Sequence, residues 1–379
     1  MQTRFNYPTR IIFGQGVIEK VCDELKALGG KRPLIVTDSG LVKTGLPDRL
    51  RGILENGGLP TLIFSGVSPN PTDAQADDGA AAYKAHRADS IVAIGGGSAL
   101  DAGKAVQVRI NNHEPMEVYD DNIGGDAKIT GALPQLIAIP TTSGTGSEVG
   151  RSAVITVAAV HRKVVVFHPK LLPAVALCDP ELTYGLPPRI TAETGMDALS
   201  HSLEAYVAKG YHPMADAIAL KGIRMVADNL VKAVENGKDV IARQEMMMAS
   251  TMGATAFQKG LGVIHSLAHP LSSTAGVSHG LANAIMMPFA IRFNASAAAE
   301  RAADVAVALR ASEASAEGAA RAVEALLKKL GLPTRLSAAG VTLKHIEQMI
   351  PKAMEDGCHP SNPRACTAAD MEALYKAAL

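Results

Sequence analysis

The side chains best suited to chemistry crowd between Gly195 and Gly280. Asp197 and His201 stand at i and i+4 in the run Gly195-Met196-Asp197-Ala198-Leu199-Ser200-His201, and His265 and His269 repeat the interval, so each pair shares one helix face. His279 follows between Ser278 and Gly280, beyond a break at Gly276. A single histidine is ordinarily a core or surface residue. Here five of the eleven histidines fall between His201 and His279, and four of them can converge with one carboxylate from three segments. An aspartate with three imidazoles suits a first-row divalent ion and leaves room for a substrate oxygen. His212, directly before Pro213, reads as a loop residue outside the set.

Two further stretches suit a phosphate-bearing ligand. Gly95-Gly96-Gly97-Ser98-Ala99-Leu100-Asp101 follows an apolar strand-like run and opens a helix-like one. Glycines there let backbone N–H groups approach a pyrophosphate, and a helix N-terminus favours the negative charge; the bland alternative is a tight turn with an aspartate near a helix start. This is not the G-x-G-x-x-G fingerprint, whose ribose-binding acid lies about 20 residues downstream. The candidate acid here is Asp38, upstream in Thr37-Asp38-Ser39-Gly40. It suits a ribose 2′-OH and would repel a 2′-phosphate, or else it caps a turn or helix. Pro140-Thr141-Thr142-Ser143-Gly144-Thr145-Gly146-Ser147-Glu148 stacks hydroxyls and glycines directly after another buried run, which points to a phosphate or nicotinamide contact. Two such loops from one sheet make a dinucleotide the natural ligand.

The elements that must carry these residues follow from periodicity. Pro33–Thr37, Thr61–Phe64, Ser90–Ile94 and Gln135–Ile139 are short apolar runs of the kind found in buried parallel strands. Val17–Leu28, Leu46–Glu55, Asp73–His86 and Leu100–Ile110 between them have helical spacing, giving βα units. Ser152–Val157 and Lys163–Phe167 read as a hairpin. After Asp179-Pro180 alanine, leucine, methionine and glutamate take over, with helices expected over 190–208, 216–235, 240–258, 281–293, 300–309 and 319–330. The fold class is therefore an α/β domain with a parallel Rossmann-like sheet over residues 1–180, followed by an all-α domain over 181–379. The alanine-rich run Ala295–Ala325 reads as exposed helix surface.

Composition excludes several classes. Lysine plus arginine and aspartate plus glutamate both number 37, so no whole-chain field draws nucleic acid or an acidic membrane. The four cysteines are scattered without a C-x-x-C pair, which argues against a disulfide framework and for a reducing compartment. Met1–Arg10 lacks the apolar core of a signal peptide and no run approaches the roughly 18 apolar residues of a spanning helix. A cytoplasmic protein is expected.

Three blocks carry a resemblance to a known family. Thr141-Thr142-x-Gly144-Thr145-Gly146-Ser147-Glu148, Gly195-Met196-Asp197-Ala198-x-x-His201, and Gly260-Leu261-Gly262-x-x-His265-x-x-x-His269-Pro270 through His279-Gly280-x-x-Asn283-Ala284 resemble the iron-dependent (group III) alcohol dehydrogenases. Gly66-Val67-x-Pro69-Asn70-Pro71-Thr72 and Asn362-Pro363-Arg364 do so too. The resemblance implies the dehydroquinate synthase-like fold, with Fe²⁺ on Asp197, His201, His265 and His279 and a catalytic His269 beside the nicotinamide. It further implies NAD contacts from Asp38, Gly96, Gly97, Ser98, Asp101, Thr141, Thr142 and Lys163, and a homodimer. The ion would then activate an alcohol oxygen while hydride passes to the nicotinamide. Residue types alone admit Zn²⁺ at the same donors.

Departures from the family pattern bear on substrate. Gly150-Arg151-Ser152 replaces the usual Thr-x-Asn, and the turn Phe257-Gln258-Lys259-Gly260 is one residue short. Ala256-Phe257-Gln258-Lys259-Gly260-Leu261-Gly262, Cys178-Asp179-Pro180-Glu181-Leu182-Thr183 and Cys358-His359 are similar to the 4-hydroxybutyrate dehydrogenase branch. Arg151, Phe257, Lys259, Cys358 and His359 are therefore candidate substrate residues. A cation among them could pair with a substrate carboxylate for about 1–3 kcal/mol; the bland reading leaves Arg151 and Lys259 solvated or paired with acids. The expected reaction is NAD-dependent oxidation of a short primary alcohol, an ω-hydroxy acid such as 4-hydroxybutyrate, giving succinic semialdehyde. Alternatives are a neutral alcohol or diol (1,3-propanediol, lactaldehyde's diol, ethanol) or, from another class, a dehydroquinate-synthase-like lyase.

Overall fold

Parallel strands with apolar side chains on both faces organise the first part of the chain, as the continuous apolar runs require. The computed structural model describes residues 6–7, 9–160 and 162–379. Most of the Met1–Arg10 segment behind the leaderless reading lies outside the described residues. Strands β1 (Arg10–Phe13), β2 (Pro33–Asp38), β3 (Leu62–Val67), β4 (Ser90–Gly95), β5 (Gln135–Pro140) and β8 (Val175–Cys178) form a six-stranded sheet ordered β1-β8-β5-β4-β2-β3, all pairs parallel. Successive residues point to opposite faces. Ile35, Val92, Ile94, Ile137 and Ile139 join one core, while Leu34, Val36, Ile91, Ala93, Leu136 and Ala138 join the other. Each large aliphatic side chain among them, fully buried, contributes about 1.5–3 kcal/mol.

Helices α1 (Val21–Ala27), α2 (Ser39–Val42), α3 (Leu46–Asn56), α4 (Asp73–His86) and α5 (Gly97–Arg109) connect the strands. The expected Val17–Leu28 helix begins as a 3-10 turn, Val17–Lys20. Asp38 caps α2 by accepting from the Leu41 N–H, and Thr72 with Gln75 forms a reciprocal capping box on α4. Antiparallel β6 (Ser152–Val157) and β7 (Arg162–Phe167) pack their alternate apolar residues with Ala105 and Val108 of α5, whose Leu100, Ala102 and Val106 face the sheet. Buried on both sides, α5 has almost no polar face.

The rest is helical: α6 (Pro188–Val207), α7 (Pro213–Glu235), α8 (Val240–Ala256), α9 (Val263–Ala275), α10 (His279–Asn294), α11 (Ala299–Ala308), α12 (Ala316–Lys329), α13 (Leu343–Glu355) and α14 (Ala368–Ala378) share one apolar core. By contact the chain divides into one compact unit of residues 7–142 with 147–183 and another of 184–379 with Ser143–Gly146 and the N-terminal end. One expectation is corrected. The alanine-rich run is not helix surface: α11 and α12 bury Ala302, Val305, Ala306, Ala319, Ala320 and Val323, because alanine permits close helix packing. His212 lies outside the helix directly before Pro213, as expected, where it is buried and caps α7, its Nδ1 accepting from the Ala215 N–H at 3.2 Å. No helix among the described residues is long and apolar enough to cross a membrane.

Candidate metal centre and dinucleotide-binding loops

The i, i+4 spacing on α6 brings Asp197 and His201 to one face. His265 comes from the first turn of α9, and His279 opens α10. One donor atom from each of the four lies within 4.8 Å of the others. The His201 Nε2 is 3.9 Å and the His279 Nε2 3.4 Å from Asp197 Oδ1. The His201 and His265 rings stack at 4.8 Å. Asp197, His201 and His265 are buried. Burial, opposed by Asp197, pushes His201 down to about 4 and His279 well below the usual imidazole value. Burial alone would raise Asp197, but the three imidazoles and the Asn283 amide outweigh it and hold the carboxyl below its ordinary range. At neutral pH the cluster is one carboxylate with His201 and His279 uncharged, so their lone pairs are free. That donor set fits a divalent ion of the Fe²⁺ or Zn²⁺ kind.

Three polar side chains whose roles sequence reasoning missed surround the four donors: Glu204 and Asn283, both buried, and the partly buried Asp356. Glu204 accepts from His265 Nδ1 through Oε2 and from the Ile264 N–H at 2.6 Å through Oε1. Asn283 donates through Nδ2 to Asp197 Oδ1 at 2.7 Å, and the same Nδ2 lies 3.2 Å from His279 Nε2 and 3.4 Å from His265 Nε2. Its Oδ1 is buried with no hydrogen-bond partner, so polar capacity remains beside the cluster. Asp356 accepts from His269 Nδ1 at 2.7 Å. His269 lies outside the four-donor group, although its ring stacks on His279 at 5.2 Å. A sequence signal for Glu204 existed: it follows Asp197 by seven residues and His201 by three, on the same face of α6.

The substrate candidates divide. Phe257 sets its ring 5.2 Å from that of His201. Cys358 keeps a protonated thiol, since burial and the neighbouring Asp356 push it well above the ordinary value; its backbone N–H donates to Asp356. His359 Nε2 faces the Met354 carbonyl at 3.0 Å. Lys259 is a correction. Its ammonium contacts Asp216 Oδ1 at 2.5 Å and the Tyr206 carbonyl at 2.8 Å, with the side chain 1 % exposed. Asp216, which also takes Arg301 at 3.1 Å, holds that ammonium inside the fold. Arg151, in the sheet-containing unit, lies over the Phe167 ring at 5.3 Å and has no ion pair among the described residues.

In that unit, Gly95 ends β4 opposite Pro140 of β5, so both polar loops leave the sheet in register, and the Thr141 N–H donates to the Gly95 carbonyl at 2.9 Å. Gly95 has φ +148°, and a Cβ there would come 2.6 Å from that of Ala99 and 3.3 Å from Asp38 Oδ2. Only glycine allows strand, α5 and Asp38 to approach this closely. Gly96 and Gly97 open α5, Gly96 lies against Thr142, and Ser98 Oγ donates to the Pro69 carbonyl at 2.6 Å.

Asp101 lies one layer behind. It is partly buried, accepting from Ser147 Oγ at 2.6 Å and the Val154 N–H at 3.0 Å. Lys163 is largely buried with its charge near Asp101. Sequence reasoning passed over Lys104, whose Nζ donates to Ser147 O at 2.7 Å, Ser147 Oγ at 2.9 Å and Ser152 O at 2.8 Å. A lysine within Ala102-Gly103-Lys104-Ala105-Val106 had to find partners, because that stretch has no solvated face.

Comparison with known proteins covers the whole chain. A family model described as iron-containing alcohol dehydrogenase matches residues 8–180, and one for the C-terminal part of the Fe-containing alcohol dehydrogenase family matches residues 191–379. A 4-hydroxybutyrate dehydrogenase of Cupriavidus necator is 40 % identical, over 98 % of either chain. An NAD-dependent methanol dehydrogenase of Bacillus methanolicus is 38 % identical over 100 % of both. The crystal structure of a 1,3-propanediol oxidoreductase superposes with a TM-score of 0.94 at 36 % identity, over 100 % of both chains.

Proposed function

This chain belongs to the iron-containing alcohol dehydrogenase family, and from that premise we propose that it oxidises the terminal hydroxyl of a short ω-hydroxy acid of the 4-hydroxybutyrate type, with NAD⁺ as hydride acceptor. The dehydrogenase assignment is carried by the convergence of Asp197, His201, His265 and His279. These four would hold Fe²⁺, and Zn²⁺ suits the same atoms. When bound, the ion supplies Lewis acidity at the substrate oxygen and the nicotinamide accepts the hydride. Asp197 contributes the negative charge, while the imidazoles contribute lone pairs. His269, its Nδ1 fixed by Asp356, presents Nε2 as a proton acceptor beside the alcohol. Phe257 walls the site next to His201.

In this reading residues 1–180 bind the dinucleotide and residues 181–379 the ion and alcohol. Gly96, Gly97 and Ser98 offer the free N–H groups of the α5 N-terminus to the pyrophosphate. Asp38 takes the ribose hydroxyls and repels a 2′-phosphate. Thr141, Thr142 and Lys163 complete the contacts, with Asp101 supporting them from behind. A cytoplasmic homodimer belongs to the same reading; all four cysteines are free, in keeping with a reducing compartment.

The carboxylate preference rests on Arg151, a cation without an acid partner among the described residues, and on the likeness to the Cupriavidus enzyme. The pairing of Lys259 with Asp216 favours the second reading, a neutral alcohol or diol. Measuring kcat/KM for 4-hydroxybutyrate and 1-butanol separates them. A charge-assisted contact of about 1.5–3 kcal/mol corresponds to a preference of about 10- to 100-fold. Arg151→Ala should abolish that preference and leave 1-butanol within about twofold. Equal values in the native enzyme remove the carboxylate argument.

A further inference from the structure

Helix α9 carries two histidines one turn apart, yet only His265 joins the four-donor group. Their rings meet edge to face at 5.8 Å, so two neighbouring imidazoles are turned to different places. The difference lies in what holds each Nδ1. We propose that two carboxylates, Glu204 buried and Asp356 partly so, act as positioning residues with separate tasks: Glu204 sets His265 for the ion, and Asp356 reserves His269 for the substrate side. The proposal rests on the four-donor cluster being an ion site.

Glu204 is 2 % exposed and cannot rotate away from His265. Its Oε1 is anchored by the Ile264 N–H at 2.6 Å, and a Cβ on the neighbouring Gly262 would come 2.9 Å from that same oxygen. With its Nδ1 proton given to Oε2, His265 has one tautomer available, whose lone pair sits on Nε2. That atom lies 3.4 Å from the Asn283 amide nitrogen, which also contacts Asp197 Oδ1 and His279 Nε2. A carboxylate behind a ligating imidazole fixes its orientation and raises its basicity.

Asp356 follows α13 and is held from three directions. Its Oδ1 accepts from Ser266 Oγ at 2.7 Å and from the Cys358 N–H at 2.9 Å, while Oδ2 takes His269 Nδ1 at 2.7 Å. Ser266 Oγ in turn accepts from the His359 N–H at 2.9 Å. The loop after α13 therefore grips His269 by one nitrogen. Without that grip an imidazole already stacked on His279 would be a competing fifth donor.

The test is a double dissociation in the full-length protein, reading ion affinity apart from turnover. Apo protein is titrated with Co²⁺, followed by visible absorption, for the native chain, Glu204→Gln, Glu204→Asp and Asp356→Asn. Glu204→Gln is expected to bind Co²⁺ about 10- to 100-fold more weakly. Asp356→Asn is expected to bind within about threefold of the native chain, to keep its KM for NAD⁺, and to lose kcat. Far-UV circular dichroism reports folding. If Glu204→Gln does not fold, Glu204→Asp carries the measurement, since it keeps the charge and withdraws the oxygen from His265. Native-like Co²⁺ affinity in the Glu204 variant, or equal loss in Glu204 and Asp356 variants, overturns the proposal. The underlying ion reading fails separately, if the native chain takes up no Co²⁺ or Asp197→Ala binds it as tightly.

Discussion

Replacing Lys104 by methionine keeps the length of the side chain and deletes its charge and three donors. Ser147 Oγ stands between that charge and Asp101, 2.9 Å from Nζ and 2.6 Å from Oδ1. The charges are thus at most about 5.5 Å apart, where unit charges attract by about 3 kcal/mol at an effective dielectric of 20. Burial opposes ionisation, and with Asp101 and Glu148 only partly compensating, Lys104 is pushed down to about 8. Lys104→Met therefore removes a disfavoured cation while stranding a buried anion, and the two effects largely cancel in the single variant. The coupling does not cancel. Asp101→Asn should be about 3 kcal/mol more destabilising in the native chain than in the Lys104→Met chain, where it removes the stranded anion. Urea unfolding followed by far-UV circular dichroism measures all four corners, tryptophan being absent from the sequence. The sign with pH is also fixed. Between about pH 8 and 10.5 the unfolded lysine holds a proton that the folded one releases, so Lys104 by itself contributes a rise in stability of about 3 kcal/mol across that window. Lys104→Met should lack that rise. Additivity within about 0.5 kcal/mol, or parallel pH curves for the two chains, would refute the reasoning.

Chelation should lower the thermal midpoint, because an ion present at about 100 times its Kd stabilises the folded state by about 2.7 kcal/mol. Calorimetry before and after adding Fe²⁺ or Zn²⁺ checks this, and coincident curves would count against the four-donor site. Asp38→Ser should raise kcat/KM with NADP⁺ by about tenfold while lowering it with NAD⁺, since the charge facing the ribose 2′ position is gone. Initial rates with both cofactors decide it.

The central strands were legible because a parallel strand covered on both faces must be apolar at every position. β2, β4 and β5 fall within one residue of the runs that announced them. β1 and β8 were not singled out. β1 is four residues long at the sheet edge and only partly buried, and β8 is four small or apolar residues at the end of the domain. Neither is long enough to show a period. Alanine misled for a different reason. Its methyl is too small to give α11 and α12 a visible apolar stripe, so packed faces resemble exposed ones until Val305 and Val323 are seen inside the core.

The four donors could be read because each sits in a local pattern, either an i, i+4 pair or a histidine just ahead of a glycine. Their supports could not, since Glu204 meets His265 across 61 residues, Asn283 meets Asp197 across 86 and Asp356 meets His269 across 87. Lys259 shows where local reasoning fails. Its neighbours suggested a pocket and hence a substrate cation, yet Asp216, 43 residues away, holds it inside the fold. What a sequence does disclose is demand. A charge in an otherwise apolar stretch, as with Lys104 on α5, must have a partner, since an unpaired buried charge costs several kcal/mol. The apolar residues around such a charge thus announce that it is paired, even though they do not say with what. Among the cationic substrate candidates, pairing separates Lys259, held by Asp216, from Arg151, which has no ion pair among the described residues.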